Sequence, residues 1–409
     1  MKKLYLSGFL MMSVLFLNAQ VKFLFDATKA ESSGNGDWVI DADLHNLGYS
    51  NGPAIVGQGS ESNPQRYPTP AQSTITSTSP ETTWEGALSS WAIDLVKKGY
   101  EVETLSYNGL ITYGDSSNPQ DLSHYKVFVV DEPNIQFTAS EKTAILQFVY
   151  HGGGLFMISD HDQSDRNNDG WDSPHIWNDL MSTNSVLVNP FGITFDYNNY
   201  SGTYSNIANI STDSILHGVM GNVTEVQWSN GTTMTLSPTS NSSVKGLVYK
   251  TGTSGNTNVL CARARYGAGK VFAMGDSSPA DDGTGDPNDQ LYDGWITDAN
   301  GNHERLIINA SIWLADEASA INELNAQSSS INLRYSDDDE LLKLVINSDN
   351  PEDNYRLSLF NLEGKNLMER NSVVNNQTIT IPKPQHGLFI YRIISSKGEM
   401  KTGKIIVSE

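Results

Sequence analysis

Apolar positions recur along this chain in two periods, which alternate. Val21-Lys22-Phe23-Leu24-Phe25-Asp26, Lys126-Val127-Phe128-Val129-Val130-Asp131, Leu155-Phe156-Met157-Ile158 and Gly269-Lys270-Val271-Phe272-Ala273-Met274-Gly275-Asp276 are short, nearly unbroken apolar runs. Such runs predict strands buried on both faces. Between them lie helical stripes. Trp84, Ala87, Leu88, Trp91, Ile93 and Leu95 predict a helix over 83–98, stopped by Gly99. Ala144, Ile145, Phe148 and Val149 predict a second, opened by a capping box at Thr138 and Glu141 and stopped by Gly152-Gly153-Gly154. A short helix over 174–181 and a closing helix over 303–315, with Leu306, Ile307, Ala310 and Trp313 on its face, complete the set. Glu101 to Leu105 alternates and reads as a strand nearer the sheet edge. Strand alternating with helix means an α/β fold with a mostly parallel sheet.

Residues 192–195, 223–228, 233–236 and 244–250 carry shorter alternating runs, expected to be β-rich insertions or the antiparallel side of the sheet. A loop over 27–82, rich in Gly, Ser, Asn and Pro, holds Trp38, Tyr49 and Tyr67; aromatics point to an ordered loop. After a polar linker over 317–330, the runs 341–346, 355–361, 377–381 and 388–394 alternate as strands, predicting a small C-terminal β-sandwich over 331–409. At the other end, Lys2 and Lys3, an apolar run over 4–17 and Ala19-Gln20 have the form of a secretory signal peptide covering 1–20. No later run approaches 18 apolar residues, so no transmembrane segment is expected in the mature chain.

Charge narrows the partners. With 47 acidic against 26 basic residues the net charge is −21, which argues against nucleic-acid binding and is compatible with divalent cations. Solubility alone also accounts for such a charge. The single cysteine, Cys261, sits in apolar surroundings and reads as a buried thiol; no intramolecular disulfide is available.

The C-terminal strands carry a resemblance. Tyr355-Arg356-Leu357-Ser358-Leu359-Phe360-Asn361-Leu362-Glu363-Gly364-Lys365, Gly387-Leu388-Phe389-Ile390-Tyr391-Arg392-Ile393 and Gly403-Lys404-Ile405-Ile406-Val407 resemble the type A sorting domain of the type IX secretion system. The resemblance implies that the type IX secretion machinery is a partner and that the protein is secreted or attached to the outer cell surface. Residues 21–316 resemble the class I glutamine amidotransferase-like fold, through the helix–Gly-Gly-Gly–strand–turn unit ending at His161 and the Gly-Lys-Val strand ending at Asp276. That resemblance implies a flavodoxin-like sheet. Its catalytic cysteine is missing: the turn reads Ser159-Asp160-His161, which argues against glutaminase chemistry.

Candidate chemistry gathers where strands end. Asp26, Asp131, Asp160 and Asp276 each close a strand, and in a parallel sheet they share one rim, where ligands bind. Carboxylates that close need a cation or proton between them, unless they cap the elements that follow. Asp160, His161, Asp131 and Asp276 are the catalytic candidates. Asp165-Arg166-Asn167-Asn168-Asp169-Gly170 matches the first half of a calcium loop, D-x-[DN]-x-[DN]-G, with Ile176 where the closing glutamate would stand. Metal candidates are therefore Asp165, Asn167 and Asp169, completed by Asp160, Asp162 or Asp172, with Asp281, Asp282 and Asp286 as a second acidic loop. Calcium is the expected cofactor; another divalent metal fits the same oxygens. Ser159 lacks the G-x-S-x-G context of a nucleophile elbow, and His175, His217 and His303 are further candidate bases.

Three functions stay open on these residues. One is an exported hydrolase of an extracellular polymer such as a glycan. Another is a non-catalytic, calcium-stabilised module binding a glycan or protein. The third, metal-dependent phosphoester hydrolysis, lacks a Lys or Arg cluster for the phosphate.

Overall fold

The computed structural model describes residues 20–32, 37–41, 70–106, 108–285, 292–298, 300–316, 332–337, 341–348, 353–361, 365–382, 384, 387–397 and 400–407. The signal-peptide segment, the interdomain linker, Tyr49, Tyr67 and Asp286 lie outside the described residues. The chain divides into two compact units, 1–316 and 317–409.

The first unit is built on a mixed sheet. Strands β1 (Lys22–Asp26), β2 (Glu101–Leu105), β3 (Val127–Asp131) and β4 (Gly154–Ile158) are followed by short strands β5 (Ile193–Phe195), β6 (Tyr200–Tyr204), β7 (Asn206–Ile207), β8 (His217–Gly218), β9 (Gly221–Asn222), β10 (Val226–Gly231) and β11 (Met234–Leu236). β12 (Lys245–Tyr249), β13 (Val259–Tyr266) and β14 (Gly269–Met274) close the series. The sheet order is β2-β1-β3-β4-β14-β13-β11-β5, with β12 on β13 and β7 on β12. Pairings from β2 to β14 are parallel; β13, β12, β11, β7 and β5 add an antiparallel side. The order reverses between β1 and β3, the place where such sheets open a crevice at their carboxyl ends.

Helices α1 (Ser89–Lys97), α2 (Ala139–Tyr150), α3 (Ser173–Ser182), α4 (Gly294–Thr297) and α5 (Asn302–Ala315) cover the sheet. Trp91, Ile93, Leu306 and Ile307 from α1 and α5 meet Phe25, Val129, Phe156 and Phe272 on one face. Ile145 and Phe148 of α2 and Trp177 of α3 meet Leu24, Phe128, Leu155 and Val271 on the other. The capping box at Thr138 forms as its sequence predicts. No helix among the described residues is long and apolar enough to cross a membrane.

Two elements differ from expectation. The helix foreseen from residue 83 begins at Ser89 instead. Leu88 donates its N–H to Val39 O at 2.9 Å, and a Cβ on Gly86 would lie 2.2 Å from that oxygen. A tertiary contact thus holds residues 84–88 out of the helix. The strand β13 was not foreseen. Cys261 lies inside it, fully buried, and burial raises its thiol pKa well above the ordinary value.

The second unit consists of strands β15 (Asn332–Asp337), β16 (Leu341–Asn347), β17 (Asn354–Phe360), β18 (Asn366–Val374), β19 (Thr378–Pro382), β20 (Gly387–Ser395) and β21 (Met400–Val407). They form two antiparallel sheets, β15-β16-β19 and β18-β17-β20-β21, around one core that includes Leu344, Ile346, Leu357, Leu359 and Ile393.

Candidate functional site at the carboxyl ends of the sheet

Strand parity decides which acids meet. Val127 and Val129 point into the α1/α5 core, so Asp131 follows on that face. Asp131 stands abreast of Ile158, and Ile158 abreast of Met274. Asp160 and Asp276 lie two residues beyond these partners. Asp26 follows Leu24 instead, on the α2/α3 face. The four strand-end acids therefore share an edge without sharing a cluster. Asp26 lies against Glu31 as a buried carboxyl pair, and burial raises the pKa of both, that of Glu31 further through the charge of Asp26.

The centre of the rim is an ion-pair fork. Arg166 donates Nη2–H to Asp160 Oδ2 at 2.7 Å and Nε–H to Glu132 Oε1 at 2.9 Å. Glu132 Oε2 also accepts from Trp38 Nε1 at 2.9 Å and Ser277 Oγ at 2.7 Å. Glu132 is fully buried and carries a positive φ of 45°, which a side chain adopts only under constraint. Asn134 supplies part of that constraint: its Nδ2 reaches Glu132 O, Ala30 O and Ser32 O, and its Oδ1 accepts from Arg166 N at 3.1 Å.

Burial first, then the charge of Glu132, raises the pKa of Asp160 well above the carboxylate range, against the pull of Arg166. Burial pushes Asp276 up to about 8 and Asp281 up to about 6. Asp131 is raised well above its ordinary value by burial and by its neighbours Glu132, Asp276 and Asp281. Asp276 accepts backbone N–H groups from Ser229 at 2.5 Å and Ser278 at 2.9 Å. Asp281 accepts from Gly283 at 2.9 Å and Tyr292 at 2.7 Å.

The catalytic candidates Asp131, Asp160 and Asp276 thus come together, with His161 beside them. His161 Nε2 lies 3.7 Å from Asp160 Oδ2, while its Nδ1–H donates to Asp162 O at 2.6 Å. Nδ1 is thus taken up, while Nε2 makes no hydrogen bond. The acids are closed off: Asp131 and Asp160 are each 2% exposed and Asp276 is fully buried.

The metal candidates scatter. Asp165 accepts from Asp169 N at 3.1 Å and Gly170 N at 2.8 Å, and Asn167 Oδ1 from Asp169 N at 3.1 Å, so this loop is folded around its own oxygens. Asp282 leaves the acidic cluster to cap α1, accepting from Ser90 N at 2.7 Å and Ser89 Oγ at 2.6 Å. Asp162 approaches Asp172 and His175, one ligand atom from each lying within 4.8 Å of the others. Asp172 is already occupied, accepting from Gln163 N at 2.7 Å and from His175 Nδ1 at 2.5 Å while capping α3. Trp38 is buried, with its N–H on Glu132, and offers no ring to a sugar. His303 is buried, held between Gln227 N and Gly294 O.

Sequence reasoning missed Arg166, which it read as a spacer in the calcium pattern. The signal was present: Arg166 is the only basic residue other than histidine between Asp160 and Asp172. Asn134 and Glu31 gave no comparable signal.

No protein-family model matches the chain. No curated protein matches it either. Among solved structures, a ThuA-like protein from Parabacteroides merdae matches at a TM-score of 0.34 and 14% identity, over 73% of this chain and 91% of that one. The mmIFT52 N-terminal domain matches at 0.37 and 12%, over 54% and 88%. A β-galactosidase from Bacillus circulans sp. alkalophilus matches at 0.31 and 11%, over 73% of this chain and 37% of that enzyme. The chain spans about a third of the length of the β-galactosidases it matches.

Proposed function

We propose that this is an exported protein whose α/β unit is a non-catalytic, calcium-stabilised module that binds an extracellular glycan or protein. The observation that carries this reading is the closure of the rim: its acids are buried, Asp160 is paired with Arg166, and His161 Nδ1 is taken up by Asp162 O. A hydrolytic site needs an acid and a base converging on open space. In this reading the parallel strands in the order β2-β1-β3-β4-β14 are a flavodoxin-like sheet of the class I amidotransferase-like kind, kept as a scaffold without its nucleophile. In this reading the calcium is held by the loop over 165–170. The C-terminal unit is the type IX sorting domain, and the protein ends released or attached at the outer cell surface.

Tyr197 is the contact we assign to a sugar. It is 53% exposed, its ring lies on His175 at 4.0 Å and 11°, and Asn178 Nδ2 holds its hydroxyl at 3.2 Å. An aromatic ring fixed before binding loses little entropy when a sugar stacks on it. Hydrolysis of the polymer is the second reading, favoured by the convergence of Asp131, Asp160 and Asp276 on one face.

The test is co-sedimentation of the mature protein with insoluble polysaccharides, with reducing ends assayed in the same tubes. Binding without release, weakened by Tyr197→Ala, is the expected result. Release of soluble fragments that Asp160→Asn abolishes would replace this reading with the hydrolase.

A further inference from the structure

We propose that Asp162, Asp172 and His175 hold a zinc ion at the N-terminal end of α3, separate from the loop over 165–170 and independent of any glycan. Among the described residues this is the one set of three histidine, cysteine or acidic side chains whose ligand atoms all lie within 4.8 Å of one another. A turn brings them together. Gln163 carries a positive φ of 68° and donates its N–H to Asp172 Oδ2 at 2.7 Å, which sets Asp162 beside the N-cap of α3. Asp172 Oδ1 in turn accepts from His175 N at 3.1 Å, so His175 stands one helical turn along on the same side.

Asp162 is the member that calls for a ligand. Its backbone is fixed, with N–H on Asn198 O at 3.0 Å and O accepting from His161 Nδ1 at 2.6 Å. Its half-buried carboxylate has no hydrogen-bond or ion-pair partner among the described residues. Carboxylates this close repel unless a cation stands between them. Arg166, the basic side chain of this loop, spends its fork on Glu132 and Asp160. Asp172 has room for an ion: Oδ1 takes both N–H and Nδ1 of His175, but Oδ2 takes only Gln163 N and keeps a lone pair. The imidazole is set in place before any ion arrives. Nδ1 lies 2.5 Å from Asp172 Oδ1, the carboxylate–imidazole pairing that orients metal-binding histidines, and Tyr197 stacks on the ring at 4.0 Å and 11°. The side chain of His175 is 40% exposed, so an ion can enter. The donor set chooses the metal. Calcium and magnesium take oxygen ligands, whereas zinc takes imidazole nitrogen together with carboxylate oxygen. Three protein ligands also leave a fourth zinc position for water or a ligand group.

The experiment uses the full mature chain, dialysed against chelator and then returned to zinc or calcium. Metal is counted by mass spectrometry, and thermal melting is followed by tryptophan fluorescence. All eight tryptophans precede residue 317, so the signal reports the first unit alone. The wild type is expected to bind an equivalent of zinc that raises its Tm by several degrees. Asp162→Asn and His175→Gln should each weaken that zinc by at least about tenfold, since even the outer partners of metal ligands are worth that much. In chelator Asp162→Asn should melt within about 2 °C of the wild type, because the carboxylate it loses has no partner in the protein. Asp165→Asn should keep the zinc that these variants lose. His175→Gln carries the test should Asp162→Asn fail to fold. A wild type that takes up no zinc, or a zinc equivalent that both variants retain, would overturn the site. Loss of calcium instead of zinc in Asp162→Asn would also overturn it.

Discussion

Arg166 is the single cation between two buried acids, and its removal tests the electrostatic account of the rim. In Arg166→Ala, Glu132 and Asp160, whose side chains are 0% and 3% exposed, lose the guanidinium that pairs with both. Breaking a buried pair from one side costs about 3–5 kcal/mol. Arg166 itself is 26% exposed, so water already screens part of the pair and the lower end applies, about 3 kcal/mol. For a unit of this size that is a fall in Tm of about 5 °C. The pH dependence follows from Asp160, whose folded pKa is raised already and rises further once the guanidinium is gone. A group with a raised folded pKa holds its proton in the native state, so its contribution is present at low pH and lost as pH climbs. The gap between wild type and variant should therefore be small near pH 4 and widen as pH rises. Urea denaturation followed by tryptophan fluorescence, repeated across that range, measures it. Arg166→Lys, which keeps the charge and loses the fork, should fall between. A cost below about 1 kcal/mol, or one that does not change with pH, would refute the reasoning, since an exposed pair behaves that way.

Other consequences can be checked alongside. His303 accepts Gln227 N–H on Nε2 and donates from Nδ1, so it must stay neutral; burial lowers its pKa, and stability should fall as pH drops below about 6.5, less so in His303→Gln. Asp282→Ala removes the cap of α1 and should cost about 1–2 kcal/mol in urea denaturation. Gly269→Ala would place a Cβ 1.9 Å from Val149 O and is expected to abolish folding, read as loss of soluble protein and of the tryptophan transition. Cys261 should resist iodoacetamide in the native protein and react once unfolded. A reporter fused to residues 331–409 should reach the medium or outer surface only in a bacterium with working type IX secretion.

Much of this architecture is written locally. The apolar runs of β1, β3, β4 and β14 and the capping box at Thr138 are short-range patterns, and each formed within a few residues of its expected place. β13 escaped notice because its apolar run, Val259 to Ala262, is only four residues long and gives way to Arg263 and Arg265; its pairing with β12 and β14 carries the strand on to Tyr266. The start of α1 escaped for the same kind of reason, since Val39 intervenes from outside the helix. At the rim, residue type was legible and partnership was not. Asp131, Asp160 and Asp276 stood out as strand-end acids, yet nothing local assigns Arg166 to Asp160 or Asp26 to the opposite face. Those assignments depend on strand parity and on a loop folding back across 34 residues of sequence.

The far end of the sheet has a mechanical consequence. Lys270, at the start of β14, donates Nζ–H to Trp313 O at 2.6 Å and to Asp316 O at 2.8 Å. Its ammonium thus ties the last turn of α5 to a strand in the interior of the sheet. Lys22, where β1 begins, stands at the same edge, because β1 and β14 run parallel. A pull arriving through residue 316 is therefore delivered first to β14, which is flanked by β4 and β13. To leave the sheet β14 must break two ladders, one on each side, whereas an outer strand breaks one. A protein held by its C-terminal end in flowing liquid would keep this unit folded under a load that peels an edge-anchored sheet apart.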